Sequence, residues 1–212
     1  MGGHGAAIFI GDAPGLDFLN SVATPAETTI DWIDDGEGLL SWLGQAQLVP
    51  ADVLGKIRTQ AGHGELDALA GQARSLREWF RAFVLKHKGH GLGPTALADL
   101  APLNRMLDRD EAYYRIVPRT GGRRSALELQ VARHWRSSAA LLLPIGEALA
   151  RLLTVEDFSY VKACERPGCT LLFADHTRGH VRRWCSMALC GNRAKQAAHR
   201  QRLRASRRNK RG

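Results

Sequence analysis

The residues in this chain best suited to chemistry are its four cysteines. All lie between positions 164 and 190, as the pairs Cys164/Cys169 and Cys185/Cys190. Each pair is spaced C-x4-C, and fifteen residues separate the pairs. Four thiolates complete a tetrahedral shell around Zn2+ and leave no open position for a substrate, which is the structural rather than the catalytic kind of zinc site. C-x4-C is not the spacing of a dithiol oxidoreductase. In a reducing compartment, clustered cysteines serve as metal ligands more often than as disulfides. The competing reading is four free thiols. His176, His180 and His199 lie close by and are expected to stay outside a shell that four thiolates already close.

Such a site needs elements that aim the sulphurs. Glu165-Arg166-Pro167-Gly168 carries a Pro-Gly turn that can fold the first pair back on itself. Leu171, Leu172 and Phe173 read as a strand after it, and Arg182, Arg183 and Trp184 as a second strand entering the other pair. From Ser186 to Arg208 the chain is rich in Ala, Gln and Arg with no proline, which predicts a helix. A knuckle, a small hairpin and a helix carrying the last ligands make a treble-clef-like finger. Some fifty residues with few large apolar side chains fold poorly alone, and a structural zinc contributes on the order of 10 kcal/mol.

Charge separates this segment from the rest. Residues 162–212 hold 14 Lys/Arg against two acids, Glu165 and Asp175, whereas residues 1–161 are net −3. A polyanion partner is implied for the basic part alone. Arg182, Arg183, Asn192, Arg193, Lys195, Arg200, Arg202, Arg204, Arg207 and Arg208 are the candidate DNA contacts. Lysine and arginine bind phosphate by charge, and arginine also reads guanine edges in the major groove. The bland alternative is a solvated basic tail. RNA is the competing polyanion, but the interleaved aromatics of a single-strand stacking platform are missing. Trp184 is expected to pack beneath the metal.

The break in charge divides the chain into residues 1–157 and 158–212, expected to fold separately. The fold class is α+β: a mostly helical N-terminal domain with a small β-sheet, then the finger with its basic C-terminal helix. In the first part, residues 8–10 suggest a strand, Leu16 to Val22 a short helix and residues 24–35 a polar loop. Helices are expected at 38–46, 50–58, 65–88, 95–108 and 137–153, the last with a kink at Pro144. Strands at 113–118 and 125–133 form a hairpin around Thr120-Gly121-Gly122. No apolar run reaches the roughly 20 residues of a membrane span, and the opening residues lack a signal-peptide pattern, so the cytoplasm is the expected location.

The role of this first part is the least legible. A small-molecule effector or homodimerisation would suit a regulator. Asp17 and Asn20 are candidate ligand-pocket residues, set against helix capping and turn hydrogen bonding. His134-Trp135 suggests either a stacking site or packing on a helix, and His63, His87 and His90 show no metal spacing. Phosphate-loop, G-x-S-x-G and H-E-x-x-H motifs are lacking, which argues against an enzyme. An N-terminal enzyme steered to nucleic acid, an RNA- or ribosome-associated factor and a zinc-stabilised protein-interaction module stay as alternatives.

Two runs resemble a known bacterial family, the CGNR zinc-finger proteins. They are Cys164-x4-Cys169-x3-Phe173-x-Asp175 and Arg182-Arg183-Trp184-Cys185-x-Met187-x2-Cys190-Gly191-Asn192-Arg193-x-Lys195. Upstream, GLDFLNSVAT at residues 15–24 is similar to the opening motif of the ABATE domain that accompanies this finger. The resemblance covers nearly the whole chain and implies a stress-linked transcription regulator with a DNA-binding zinc finger.

Overall fold

The structure, a computed structural model, describes residues 5–24, 28–119 and 126–209, and the side chains of all of these except 198 and 203–209. The turn expected at Thr120-Gly121-Gly122 lies outside the described residues.

The first part is built around two crossing helices. Helix α1 (Pro14–Leu19) opens on a proline, whose missing N–H would have had no helical partner in the first turn. It buries Leu16, Phe18 and Leu19 completely. Helix α6 (Leu143–Val155) crosses it at Gly15, where a Cβ would stand 2.8 Å from the Ala148 carbonyl oxygen. Glycine alone permits that approach. Pro144 lies in the first turn of α6, after a 3-10 turn over Ser138–Leu142, instead of kinking a longer helix. Ser138–Val155 as a whole is long and apolar enough to cross a membrane, but Ile145, Leu149 and Leu152 are buried in the core.

Helices α2 (Gly36–Gln45), α3 (Ala51–Gln60) and α4 (Glu65–His87) lie close to the positions that periodicity predicts. Asp35 caps α2 by accepting the Gly38 N–H at 2.7 Å. The three- and four-residue steps of α4 bury Leu69, Ala73, Phe80, Phe83 and Val84. The helix expected at 95–108 is instead a 3-10 turn, Pro94–Leu100, followed by α5 (Ala101–Leu107).

Two expectations fail nearby. Residues 24–35 are not merely a polar loop: Val22–Ala23 (β1) pairs antiparallel with Ile30–Asp31 (β2), and Trp32 and Ile33 enter the core. A buried arginine anchors this ribbon. Arg77 of α4 donates to both Asp31 carboxylate oxygens, at 2.8 and 2.7 Å, and to the Ser21 hydroxyl at 3.0 Å. Residues 8–10 do not form a strand, because their neighbourhood bonds elsewhere. The Ile10 carbonyl accepts from the Arg182 guanidinium and the Gly11 carbonyl from the Ala174 N–H.

Strands β3 (Ala112–Pro118) and β4 (Leu127–Arg133) form the expected hairpin, with Tyr114 opposite Val131 and Ile116 opposite Leu129. The C-terminal part begins with a 3-10 turn at Phe158–Tyr160. Val161–Ala163 (β5) then pairs antiparallel with Leu172–Ala174 (β6). This corrects the expected hairpin, since residues 182–184 form no strand. The Arg182 N–H goes to the Asp175 carboxylate at 2.9 Å instead of to a ladder.

The two parts pack against one another through a shared core. Leu171, Leu172, Phe173 and Ala174 are buried in the same hydrophobic cluster as Leu16, Phe18 and Leu19. Asn20, wholly buried at the end of α1, completes the joint. Its amide donates to the Leu172 carbonyl at 2.8 Å, and its oxygen accepts the Leu172 N–H at 2.9 Å. Asn20→Ala would leave both backbone groups buried and unpaired, an expected loss of about 2–4 kcal/mol. Urea unfolding followed by tryptophan fluorescence and by metal release should show one shared transition, shifted to lower urea in the variant. Two separated transitions would show that the two parts unfold independently.

Candidate metal centre and basic helix

Each ligand pair is aimed by a local turn. Cys164 follows β5, and its N–H donates to the Leu171 carbonyl at 2.9 Å. The chain reverses through Pro167-Gly168, with Gly168 at φ 78°, and closes when the Cys169 N–H reaches the Arg166 carbonyl at 3.0 Å. At the second pair, Ser186 caps the next helical turn by accepting the Leu189 N–H at 3.0 Å. That turn, Met187–Gly191, is widened to the π form, with the Gly191 N–H on the Ser186 carbonyl at 3.0 Å. A bond spanning five residues brings Cys190 round to the side of Cys185. Helix α7 (Asn192–Asn209) continues from it.

All four sulphurs lie within 4.8 Å of one another, and Cys164, Cys185 and Cys190 are buried. Tetrahedral zinc with bonds of about 2.3 Å sets its sulphurs about 3.8 Å apart. Cys169 and Cys190 stand at 3.7 Å. Without a cation the sulphurs share protons unequally. The Cys185 thiol donates to Cys169 and draws it down to about 5, and the same bond together with burial pushes Cys185 far up. Burial raises Cys164. A bound metal cation would let all four sulphurs carry charge together. A buried, closed, all-sulphur donor set of this size fits structural zinc.

Arg166 reads in the sequence only as part of the turn, yet its Nε donates to Cys190 Sγ at 3.0 Å. That bond raises the pKa of the guanidinium, which sits where a four-thiolate metal complex would carry excess negative charge. Two of the nearby histidines are engaged elsewhere. His176 Nε2 lies 2.6 Å from the Glu156 carboxylate, whose hydrogen bond raises the imidazole pKa. His180 bonds the Asp175 carbonyl at 2.7 Å and stacks on Tyr160.

Asp175, one of only two acids in the basic segment, has a role that the sequence alone does not assign. It is completely buried. It accepts from Lys162 Nζ at 2.7 Å, the Thr177 N–H at 3.0 Å, the Thr177 hydroxyl at 2.6 Å and the Arg182 N–H at 2.9 Å. Burial opposes its charge, but these donors outweigh it and hold the carboxyl far below the usual carboxylate range.

The candidate nucleic-acid contacts divide. Asn192, Arg193, Lys195, Arg200 and Arg202 are exposed on α7. Arg204, Arg207 and Arg208 belong to the same helix, with side chains outside the described residues. Arg183 is exposed, paired with Glu165 at 2.6 Å and set over the Trp184 ring. Arg182 requires correction, because its guanidinium faces inward. It stacks on Phe173 at 4.2 Å and bonds the carbonyls of Ile10, Trp184 and Cys185 and the Asp12 carboxylate. An arginine so engaged fastens the second cysteine pair to the N-terminal part.

The candidate pocket residues are also structural. Both polar atoms of the Asn20 amide are used by Leu172. Burial raises the pKa of Asp17, and the Gly11 N–H, 2.7 Å from its carboxylate, partly offsets that. A cleft of about 1090 Å³ does exist, elsewhere: it lies between α3, the β3–β4 hairpin and α6, and Trp135, Arg115 and Arg151 line it. Trp135 packs against the core, with the Arg133 guanidinium above its ring.

Comparison with known families places these two halves. Residues 12–156 match the ABATE model, described as "Putative stress-induced transcription regulator", and residues 160–203 match the CGNR zinc finger. The chain belongs to the ABATE family. No curated protein matches it. In this ABATE protein the tetrad Cys190–Arg193 joins the last sulphur to the first turn of α7.

Two outcomes follow for the centre. Arg166→Ala is expected to weaken metal retention about 10-fold against a chelator, while the metal-free fold stays unchanged. The second concerns Asp175, whose folded pKa lies below its unfolded value near 3.9. Its stabilisation is therefore present above that value and is lost as the pH falls below it. Asp175→Asn should lower stability at pH 7 and flatten the acid limb of a stability–pH profile. An unaltered limb would assign acid sensitivity to the thiolates.

Proposed function

We propose that this ABATE protein is a cytoplasmic DNA-binding transcription regulator in which Zn2+, held by Cys164, Cys169, Cys185 and Cys190, fixes the root of a basic reading helix. The observation that carries this reading is the join at Cys190. The last sulphur lies in the turn that opens directly into α7, and the basic side chains Arg193, Lys195, Arg200 and Arg202 on that helix are exposed. A metal-locked root gives the helix a fixed direction, and its exposed cations can then follow a phosphate backbone. Arg193, Lys195, Arg200 and Arg202 would displace counterions from the duplex, and Asn192 at the first turn would lie close to a base edge or phosphate. Zinc supplies scaffolding here rather than chemistry, and no enzymatic role is assigned. The cleft beneath the hairpin is where a small-molecule effector would act.

Fluorescence anisotropy with duplex DNA across a salt series tests the proposal. Replacing Lys195, Arg200 and Arg202 by alanine is expected to weaken binding and reduce the log–log salt slope by roughly three. Removal of zinc should abolish binding. An unchanged slope would take this helix out of the interface, and preference for structured RNA over duplex DNA would replace the regulator by an RNA-associated factor.

A further inference from the structure

The β3–β4 hairpin turns an apolar face to solvent. Its strands carry seven residues each, against two or three in the other strands. Paired residues share a face, so Tyr114 and Val131, and Ile116 and Leu129, point the same way, with Leu127 beyond them. These five side chains face solvent: Tyr114 and Ile116 are 70% exposed, Leu127 69%, Leu129 66% and Val131 47%. The opposite face carries Tyr113, Arg115 and Gln130, and these line the cleft together with Val131 and Arg133 from the end of β4 nearest the body of the protein. An antiparallel ribbon in a monomer normally turns its apolar face inward and its polar face to water. This one leaves its apolar face to water, although Arg115 and Gln130 on the other face are exposed as well.

We propose that the apolar face of this hairpin is a homodimer interface, packed against the same face of a second copy. Several arguments support that occupant. A free two-stranded ribbon is marginally stable in water and needs a third layer, yet within the described residues the outer face is left uncovered. Its exposed apolar surface amounts to roughly 500–600 Å², the upper end of what a monomer displays. Doubling it about a two-fold axis reaches roughly 1,200 Å², the lower bound for a specific stable interface. The patch suits self-association because it holds no charge: Tyr114, Ile116, Leu127, Leu129 and Val131 would meet their own copies, as an isologous contact requires. The nearby ion pair of Arg119 with Glu128, at 3.7 Å, supplies one charge of each sign at the border. A two-fold partner could therefore match it without like-charge repulsion. The inference rests on the hairpin alone and stands whether α7 binds DNA, RNA or neither.

Sedimentation equilibrium of the zinc-loaded full chain, without nucleic acid and at micromolar concentration, should return twice the chain mass. Ile116→Glu combined with Leu129→Glu should halve that mass, with far-UV spectrum and metal content preserved. Arg115→Glu, on the opposite face, should leave the dimer intact. Hydrogen exchange on the wild type gives a readout independent of any variant: amide protection over residues 112–118 and 127–133 should rise with protein concentration. A wild type that stays monomeric overturns the proposal, as does a charged double variant that stays dimeric. Concentration-independent protection would overturn it too, showing that the face is covered by something other than a second copy.

Discussion

The backbone of Leu172 is the point on which the two halves of this molecule depend. Strand β6 is three residues long and wholly buried. One edge bonds to β5. The other edge would leave an N–H and a carbonyl without partners in an apolar interior, where each costs roughly 1–3 kcal/mol. The Asn20 amide fits that gap because it offers one donor and one acceptor in the spacing of a peptide group. A residue at the end of the first helix thus acts as a third strand for a ribbon more than 150 positions later. The metal knuckle grows from the ends of this ribbon, with Cys164 just after β5 and Cys169 shortly before β6. Its sulphurs therefore inherit their placement from the N-terminal core as well as from the ion.

Buried charge fastens the same joint from its other side. Asp175 and Arg182 lie in a segment whose composition suggests only attraction to polyanions, yet neither faces one. Asp175 collects donors from Lys162, Thr177 and the Arg182 backbone, and the Arg182 side chain reaches across to Ile10 and Asp12. Arg77 does comparable work under the β1–β2 ribbon. Through Arg182 and Arg77 a guanidinium supplies several donors in fixed directions, while the Lys162 ammonium serves Asp175. Removing one partner would leave the other charged and poorly solvated, so these pairs specify the arrangement more than they add net stability.

The features legible in the sequence were local ones. The cysteine spacing, the Pro167-Gly168 reversal, the stripe of α4 and the Arg-rich helix each declare themselves within a few residues, because turn chemistry and helical period act over that range. Features that depend on distant partners were not legible. Residues 8–10 look like a strand until the Ile10 carbonyl is claimed by Arg182 and the adjoining Gly11 carbonyl by Ala174. Ile30 and Asp31 look like loop because a two-residue strand has no period. Arg182 resembles its neighbour Arg183 in every local respect, and only Phe173 beneath it and Asp12 beside it turn it inward. Asn20 reads as a cap because the backbone it completes is so far away. The missed signal at Asp175 was compositional: a lone acid amid excess positive charge, beside an apolar strand, has reason to be buried and paired.

The resulting distribution of rigidity bears on how such a chain could act on a polyanion. At its root α7 is held by Cys190, by the Ser186 cap and by a core shared with the N-terminal half. Its side chains Arg193, Lys195, Arg200 and Arg202 are exposed, and it contributes little to that core. Binding at the helix would therefore not require the fold to open, and the ordering cost would fall on the helix's own long side chains. Changes in the N-terminal half have a physical path to that root through the Asn20–Leu172 pair and the Arg182 contacts, both of which end on segments that carry metal ligands. Communication between the halves would then depend on rigid-body placement of the knuckle rather than on any change in the metal, whose closed shell of four sulphurs leaves it nothing to exchange.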